Sequence, residues 1–154
     1  MRVNEGYSDS KNIDKSDVKS SIRNYLFQQK NVIFALIYGS FITEKAFRDI
    51  DIAIFTGSDR NLLRLGKMKA ELSKLTQTET DLIYLNNLYS KDPAFAYEVV
   101  NKGELVVNKR PEIFINFKKR VLLNYIDTQK LREMMDQAYL RRLHSKKFGQ
   151  RNYE

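Results

Sequence analysis

Val32-Ile33-Phe34-Ala35-Leu36-Ile37-Tyr38 runs into Gly39-Ser40, and beyond Phe41 to Arg48 a second run follows, Asp49-Ile50-Asp51-Ile52-Ala53-Ile54. The first run is apolar without alternation, the pattern of a strand covered on both faces. The second opens with two aspartates at i and i+2. Successive strand side chains point to opposite faces, so Asp49, Asp51 and Ala53 face one way while Ile50, Ile52 and Ile54 face the other. One face carries charge and the other fills a core. The residues between Ser40 and Asp49 are too few for a helical crossover, so the second strand is expected to lie antiparallel to the first or immediately beside it.

Working outward, Asp14 stands where a helix N-cap would, ahead of the stripe Val18, Ile22, Tyr25, Leu26, which predicts an amphipathic helix ending near Gln29-Lys30. After the turn cluster Thr56-Gly57-Ser58-Asp59, the spacing of Leu62, Leu65, Met68, Leu72 and Leu75 predicts a second helix, with Lys67, Lys69, Glu71 and Lys74 on its solvent face. Asp81-Leu82-Ile83-Tyr84-Leu85 reads as a third strand headed by an aspartate. Asp92-Pro93 opens a short helix that Gly103 closes, and Leu105-Val106-Val107 reads as an edge strand. Past Pro111 the pattern is helical, with a break near Asp127-Thr128. Strands alternating with helices in this order predict an α/β (α+β) fold, a mixed β-sheet of four to five strands with helices packed on it. The expected organisation is a disordered stretch 1–12, a core over 13–108, a helical extension of the same domain over 109–144 and a basic tail over 145–154.

At 154 residues the chain is long enough to bury a core without staples. With no cysteine, thiolate metal sites and thiol nucleophiles are excluded, which suits a reducing compartment, and no apolar run reaches bilayer length. A cytoplasmic location without membrane contact is expected. The net charge of +8 is uneven. Residues 109–154 hold 12 Lys/Arg against 5 Asp/Glu, so the basic character belongs to the C-terminal third. Such a segment would attract nucleic acid, an acidic protein surface or phosphates, or would simply solvate a helix face.

If the three strands are neighbours, Asp49, Asp51 and Asp81 converge at one end of the sheet, where like charges repel unless a cation joins them. The lone histidine, His144, lies far off in the basic segment. A carboxylate-only donor set suits Mg²⁺, alone or as a pair bridging phosphate oxygens. The glycine of Gly39-Ser40 lets backbone approach a phosphate, and Ser40 adds a hydroxyl donor. No Walker A loop is present. Taken singly, a Gly-Ser turn or an Asp-x-Asp triplet is commonplace; their order and context carry the reading.

With Tyr38-Gly39-Ser40, Asp49-Ile50-Asp51-Ile52-Ala53-Ile54 and Thr80-Asp81-Leu82-Ile83-Tyr84-Leu85-Asn86 in this order, the chain resembles the minimal nucleotidyltransferases of the polymerase-beta-like superfamily, over roughly residues 20 to 140. It departs from many members in a shorter loop before Asp49 and in having Arg48 where they often carry serine. The resemblance implies transfer of a nucleoside monophosphate, AMP from ATP, to a hydroxyl acceptor. Asp49, Asp51 and Asp81 would be the catalytic and metal-binding residues for two Mg²⁺ ions, and Gly39, Ser40 and Arg48 the nucleotide-binding ones. Small stand-alone members resemble antitoxins that adenylylate a HEPN-type partner. Phe114, Phe117, Tyr125, Met134 and Met135 either offer such a partner an apolar face or pack the sheet. Two other readings are open: transfer to a small molecule of the aminoglycoside kind, and a non-catalytic module that grips nucleic acid or an acidic protein through Arg141, Arg142, Lys146, Lys147 and Arg151.

Overall fold

Asp14 turns its carboxylate onto the Ser16 amide at 2.9 Å and so caps the first helix, α1 (Lys15–Gln28). The computed structural model describes residues 14–57 and 60–145. After α1 the chain runs through β1 (Val32–Tyr38), α2 (Ser40–Thr43), β2 (Asp49–Thr56), α3 (Leu62–Thr76), β3 (Glu79–Tyr84), α4 (Leu88–Lys91) and α5 (Pro93–Lys102). It ends in β4 (Glu104–Asn108), α6 (Pro111–Asp127) and α7 (Gln129–His144). The stretch 1–12, Ser58-Asp59 and the tail cations Lys146, Lys147 and Arg151 lie outside the described residues.

The strands form one mixed sheet in the order β3-β2-β1-β4. β1 pairs antiparallel with β2 on one side and β4 on the other, as the short connection before Asp49 requires. β2 and β3 are parallel, and α3 supplies the crossover that a parallel pair needs. Ala35, Ile37, Ile50, Ile52, Ile54 and Leu82 make one face, buried beneath α1 and α3. Phe34, Leu36 and Ala53 make the other, covered by Ala96 and Val99 of α5 and by Phe117 and Val121 of α6. The Phe34 ring stacks on Phe55 at 4.7 Å and lies 4.9 and 5.4 Å from Phe114 and Phe117. Those two α6 aromatics therefore pack the sheet and are not free for docking.

Several local expectations need correcting. Leu62 and Leu75 of α3 are exposed; the inward face is Leu65, Met68, Leu72 and Thr76, a spacing closer to 3.6 residues per turn. Lys69 and Glu71 do not merely solvate the outside, since Lys69 reaches Asp81 and Glu71 accepts from the Tyr25 hydroxyl. Asp81 is the third residue of β3, not its first, because the strand begins at Glu79. The helical turn α4 was not anticipated. Gly103 ends α5 with an ordinary φ of −72°, yet a Cβ there would stand 2.3 Å from the Val99 carbonyl oxygen. The break at Thr128 is present, and α7 beyond it buries no residue. No helix among the described residues is long and apolar enough to cross a membrane.

Candidate active site

The carboxylates stand where they do because of register. Asp51 is paired with Tyr38 across the antiparallel ladder and with Asp81 across the parallel one, while Asp49 is paired with Glu79. Laterally paired residues share a face, so Tyr38, Asp49, Asp51, Glu79 and Asp81 occupy the α5/α6 side of the sheet at one end. Their neighbours Ile50, Ile52 and Leu82 anchor the same strands in the opposite core. Among the described residues, α5 and α6 bury the sheet from Leu36 and Ala53 onward and leave this end open.

Gly39 brings the turn to the carboxylates. Its φ of 76° and ψ of −157° lie in a region that side chains disfavour, and a Cβ placed there would meet Asp51 Oδ2 at 2.4 Å. The Gly39 backbone thus rests against the Asp51 carboxylate, and the short loop does not separate the two halves of the motif. The loop itself is pinned. Phe41 is fully buried with its ring 4.7 Å from Phe47, and Lys15 Nζ donates to the Phe41 carbonyl at 2.7 Å. Beside the turn runs a cleft of about 280 Å³ lined by Tyr38, Gly39, Ser40, Thr43, Phe95, Glu98 and Lys102. Arg48 is exposed on the bend before β2 and makes no hydrogen bond or ion pair among the described residues. It is not drawn into the cluster.

The electrostatics follow from this crowding. The Asp51 carboxyl is raised above the usual carboxylate range, first by burial and then by the charges of Asp49 and Asp81. The Tyr38 phenol is likewise pushed up, by burial and by Asp51 and Asp81. Asp81 has found a cation of its own: Lys69 Nζ lies 3.0 Å from Asp81 Oδ1, and this raises the lysine's own value. Because β3 is an edge strand, a side chain from α3 can reach its free side. No three His, Cys, Asp or Glu side chains among the described residues are gathered closely enough to ligate one ion as they stand.

The donor set nonetheless suits a hard cation. All the ligating candidates are carboxylates, the missing side chain at Gly39 leaves room beside Asp51 Oδ2 that a Cβ would take, and the mutual repulsion at Asp51 is the kind a divalent ion relieves. Sequence reasoning missed Tyr38, Glu79 and Lys69 as members of this cluster. A signal for Glu79 was there: Glu79-Thr80-Asp81 repeats the acid-x-acid alternation of Asp49-Ile50-Asp51. Lys69 had no such signal, since its neighbour is set by how α3 packs.

Known proteins bear on this geometry in three ways. The sequence profile of the polymerase beta nucleotidyltransferase family matches residues 20–112, which span every strand and the whole carboxylate cluster. By sequence alone, no curated protein matches the chain. By fold, the chain is similar to one in the complex of tri-AMPylated HEPN toxin with MNT antitoxin from Shewanella oneidensis, at 16% identity and TM-score 0.67 over 82% of this chain and 99% of that one. It is equally similar to a chain of a toxin–antitoxin crystallised with AMP-PNP, at 18% identity and TM-score 0.67 over 79% and 98% of the two chains. A chain of the toxin–antitoxin MntA-HepT follows at 16% identity and TM-score 0.65, over 81% and 98%. At such identities these likenesses speak for the fold, whereas the profile match covers most of the sequence: the chain belongs to the polymerase beta nucleotidyltransferase family.

Proposed function

We propose that this chain moves AMP from ATP onto a hydroxyl of a HEPN-type helical protein, acting as the antitoxin of a cytoplasmic toxin–antitoxin pair. The observation that carries the reading is the contact of the Gly39 backbone with Asp51, whose neighbour in register is Asp81. It brings the glycine turn and two acidic strands together at one end of the sheet. In the reaction the acceptor hydroxyl oxygen attacks the α-phosphorus, the bond to the β-phosphate bridging oxygen breaks, pyrophosphate leaves, and the hydroxyl proton passes to a nearby base. Asp81 would take that role once Lys69 yields it, and Gly39 and Ser40 would face the departing phosphates. Mg²⁺ held by Asp49, Asp51 and Asp81 would supply charge neutralisation at the transferring phosphoryl group. Arg48, exposed and uncommitted, would serve as an outer phosphate contact.

A partner protein is supported by the far end of the chain. Met134 and Met135 are 59% and 63% exposed on α7, which has no buried residue to hold it to the body. Leu122, Leu123 and Ile126 of α6 and Leu131 of α7 are exposed apolar side chains as well. The solved relatives named above are parts of two-protein complexes, one of them with an AMPylated toxin. The test is to incubate the chain with α-labelled ATP, Mg²⁺ and the protein encoded beside it. Label is expected on that protein and is expected to vanish with Asp49→Ala/Asp51→Ala or with excess chelator. Equal labelling by the double variant would sink the proposal. Label on an added aminoglycoside with none on the protein would favour the small-molecule reading.

A further inference from the structure

At the end of the sheet opposite the carboxylates, some six residues further along β2 and so roughly 20 Å away, a second cavity of about 380 Å³ opens between the end of β2, the β3–α4 connection and α6. Its floor is aromatic. The Phe55 and Phe117 rings lie 5.4 Å apart, and the Tyr89 ring lies 6.0 Å from Phe117. Its rim is cationic. Arg120 Nη1 donates to the Tyr89 hydroxyl at 3.2 Å, with the guanidinium 5.9 Å from the centre of that ring. Arg60 Nη1 donates to the Asn87 side-chain oxygen at 2.8 Å, in the amide orientation that satisfies both of its polar atoms.

Both guanidiniums are therefore aimed by neutral groups, and neither is neutralised by its partner. Among the described residues that line the cavity there is no carboxylate. An adjoining cleft shares Arg60 and Asn87 and adds Lys91. Fork donors held by neutral groups, with no carboxylate among the described lining residues, match the oxygens of a phosphate, and a planar ring matches the exposed part of the aromatic floor. Bare phosphate would leave that floor wet, and a neutral nucleoside would leave the two arginines unpaired. We propose that this cavity is a binding site for a nucleoside monophosphate, with the phosphate between Arg60 and Arg120 and the base against the Tyr89 ring, which Phe117 backs from the core. Nothing in it depends on how Asp49, Asp51 and Asp81 are used.

The experiment is a titration of the Asp49→Asn/Asp51→Asn protein with AMP, followed by NMR at the Gly57 backbone amide and the side-chain amides of Asn86, Asn87 and Asn116. Adenosine and inorganic phosphate form separate arms. AMP is expected to shift these reporters, with each of the other two at least roughly tenfold weaker, the loss expected when one anchor of a charge-assisted pair goes missing. Arg60→Gln/Arg120→Gln is expected to weaken AMP by a similar factor or more while its remaining spectrum stays folded. Shifts confined to Gly39 and Ser40, no response to AMP, a response to phosphate as strong as to AMP, or unchanged binding by the arginine variant would each overturn the proposal. Because Asp49 and Asp51 are already neutral in the titrated protein, loss of transfer activity and loss of this site are read separately.

Discussion

Gly39 is the residue on which the site depends most sharply. Any side chain there meets both a disfavoured backbone region and the Asp51 carboxylate. Gly39→Ala is expected to cost about 1–3 kcal/mol in urea denaturation and to abolish transfer, since relief of the clash must move Asp51 or the turn. Asp51 makes the complementary point about charge. Its folded-state value is raised, so the folded protein binds that proton more tightly than the unfolded chain does. Stability then falls as pH rises from the ordinary carboxylate range through the raised value, and stays lower above it. In chelator-treated protein, Asp51→Asn is expected to melt above the parent chain at pH 7 and to converge with it below about pH 4, as calorimetry would show. A variant that melts lower at pH 7 would mean that the carboxylate stabilises the fold.

At the scale of elements, α7 contributes little to the body it extends from. It buries no residue, and its tether is Arg132, which donates to the Tyr125 carbonyl at 2.7 Å and lies 3.9 Å from the centre of the Tyr125 ring. Ending the chain after Thr128 is expected to change unfolding free energy by no more than about 1 kcal/mol while removing capture of the partner protein in a pull-down. A large loss of stability would show that α7 belongs to the core. What could be read from sequence tracks the same distinction between local and distant causes. β1 was legible to the residue, because an unbroken apolar run ending in Gly39 has one physical reading. The β1–β2 pairing was legible because the loop is short. The Lys69–Asp81 pair and the inward face of α3 were not, since both depend on the angle at which α3 crosses the sheet, and no periodicity encodes that angle. Glu79 was legible in principle, but an aspartate ahead of Leu82-Ile83 reads as a strand opener and sets the start of β3 two residues late.

Across the whole molecule, charge is segregated. Asp49, Asp51, Glu79 and Asp81 gather at one end of the sheet, while residues 109–154 carry the basic excess. A protein with an acidic docking face would be steered toward the C-terminal helices. Raising ionic strength is expected to slow association with the proposed partner several-fold while leaving dissociation nearly unchanged, a contrast that stopped-flow measurement resolves. Salt-independent association would point to apolar contact alone.

The parallel pairing of β2 with β3 also governs when the site comes into being. Gly39, Ser40, Asp49 and Asp51 are joined by a tight antiparallel connection whose ends close at little entropic cost, whereas Asp81 must wait for the whole of α3 to be made and docked. Lys69 rides in on that same helix. As the chain emerges during synthesis, the first two acids are therefore in place ahead of the third, and the third arrives with its ammonium escort on the same crossover. The carboxylate cluster is therefore incomplete until the edge strand is laid down, and the last acid to join comes already paired with Lys69.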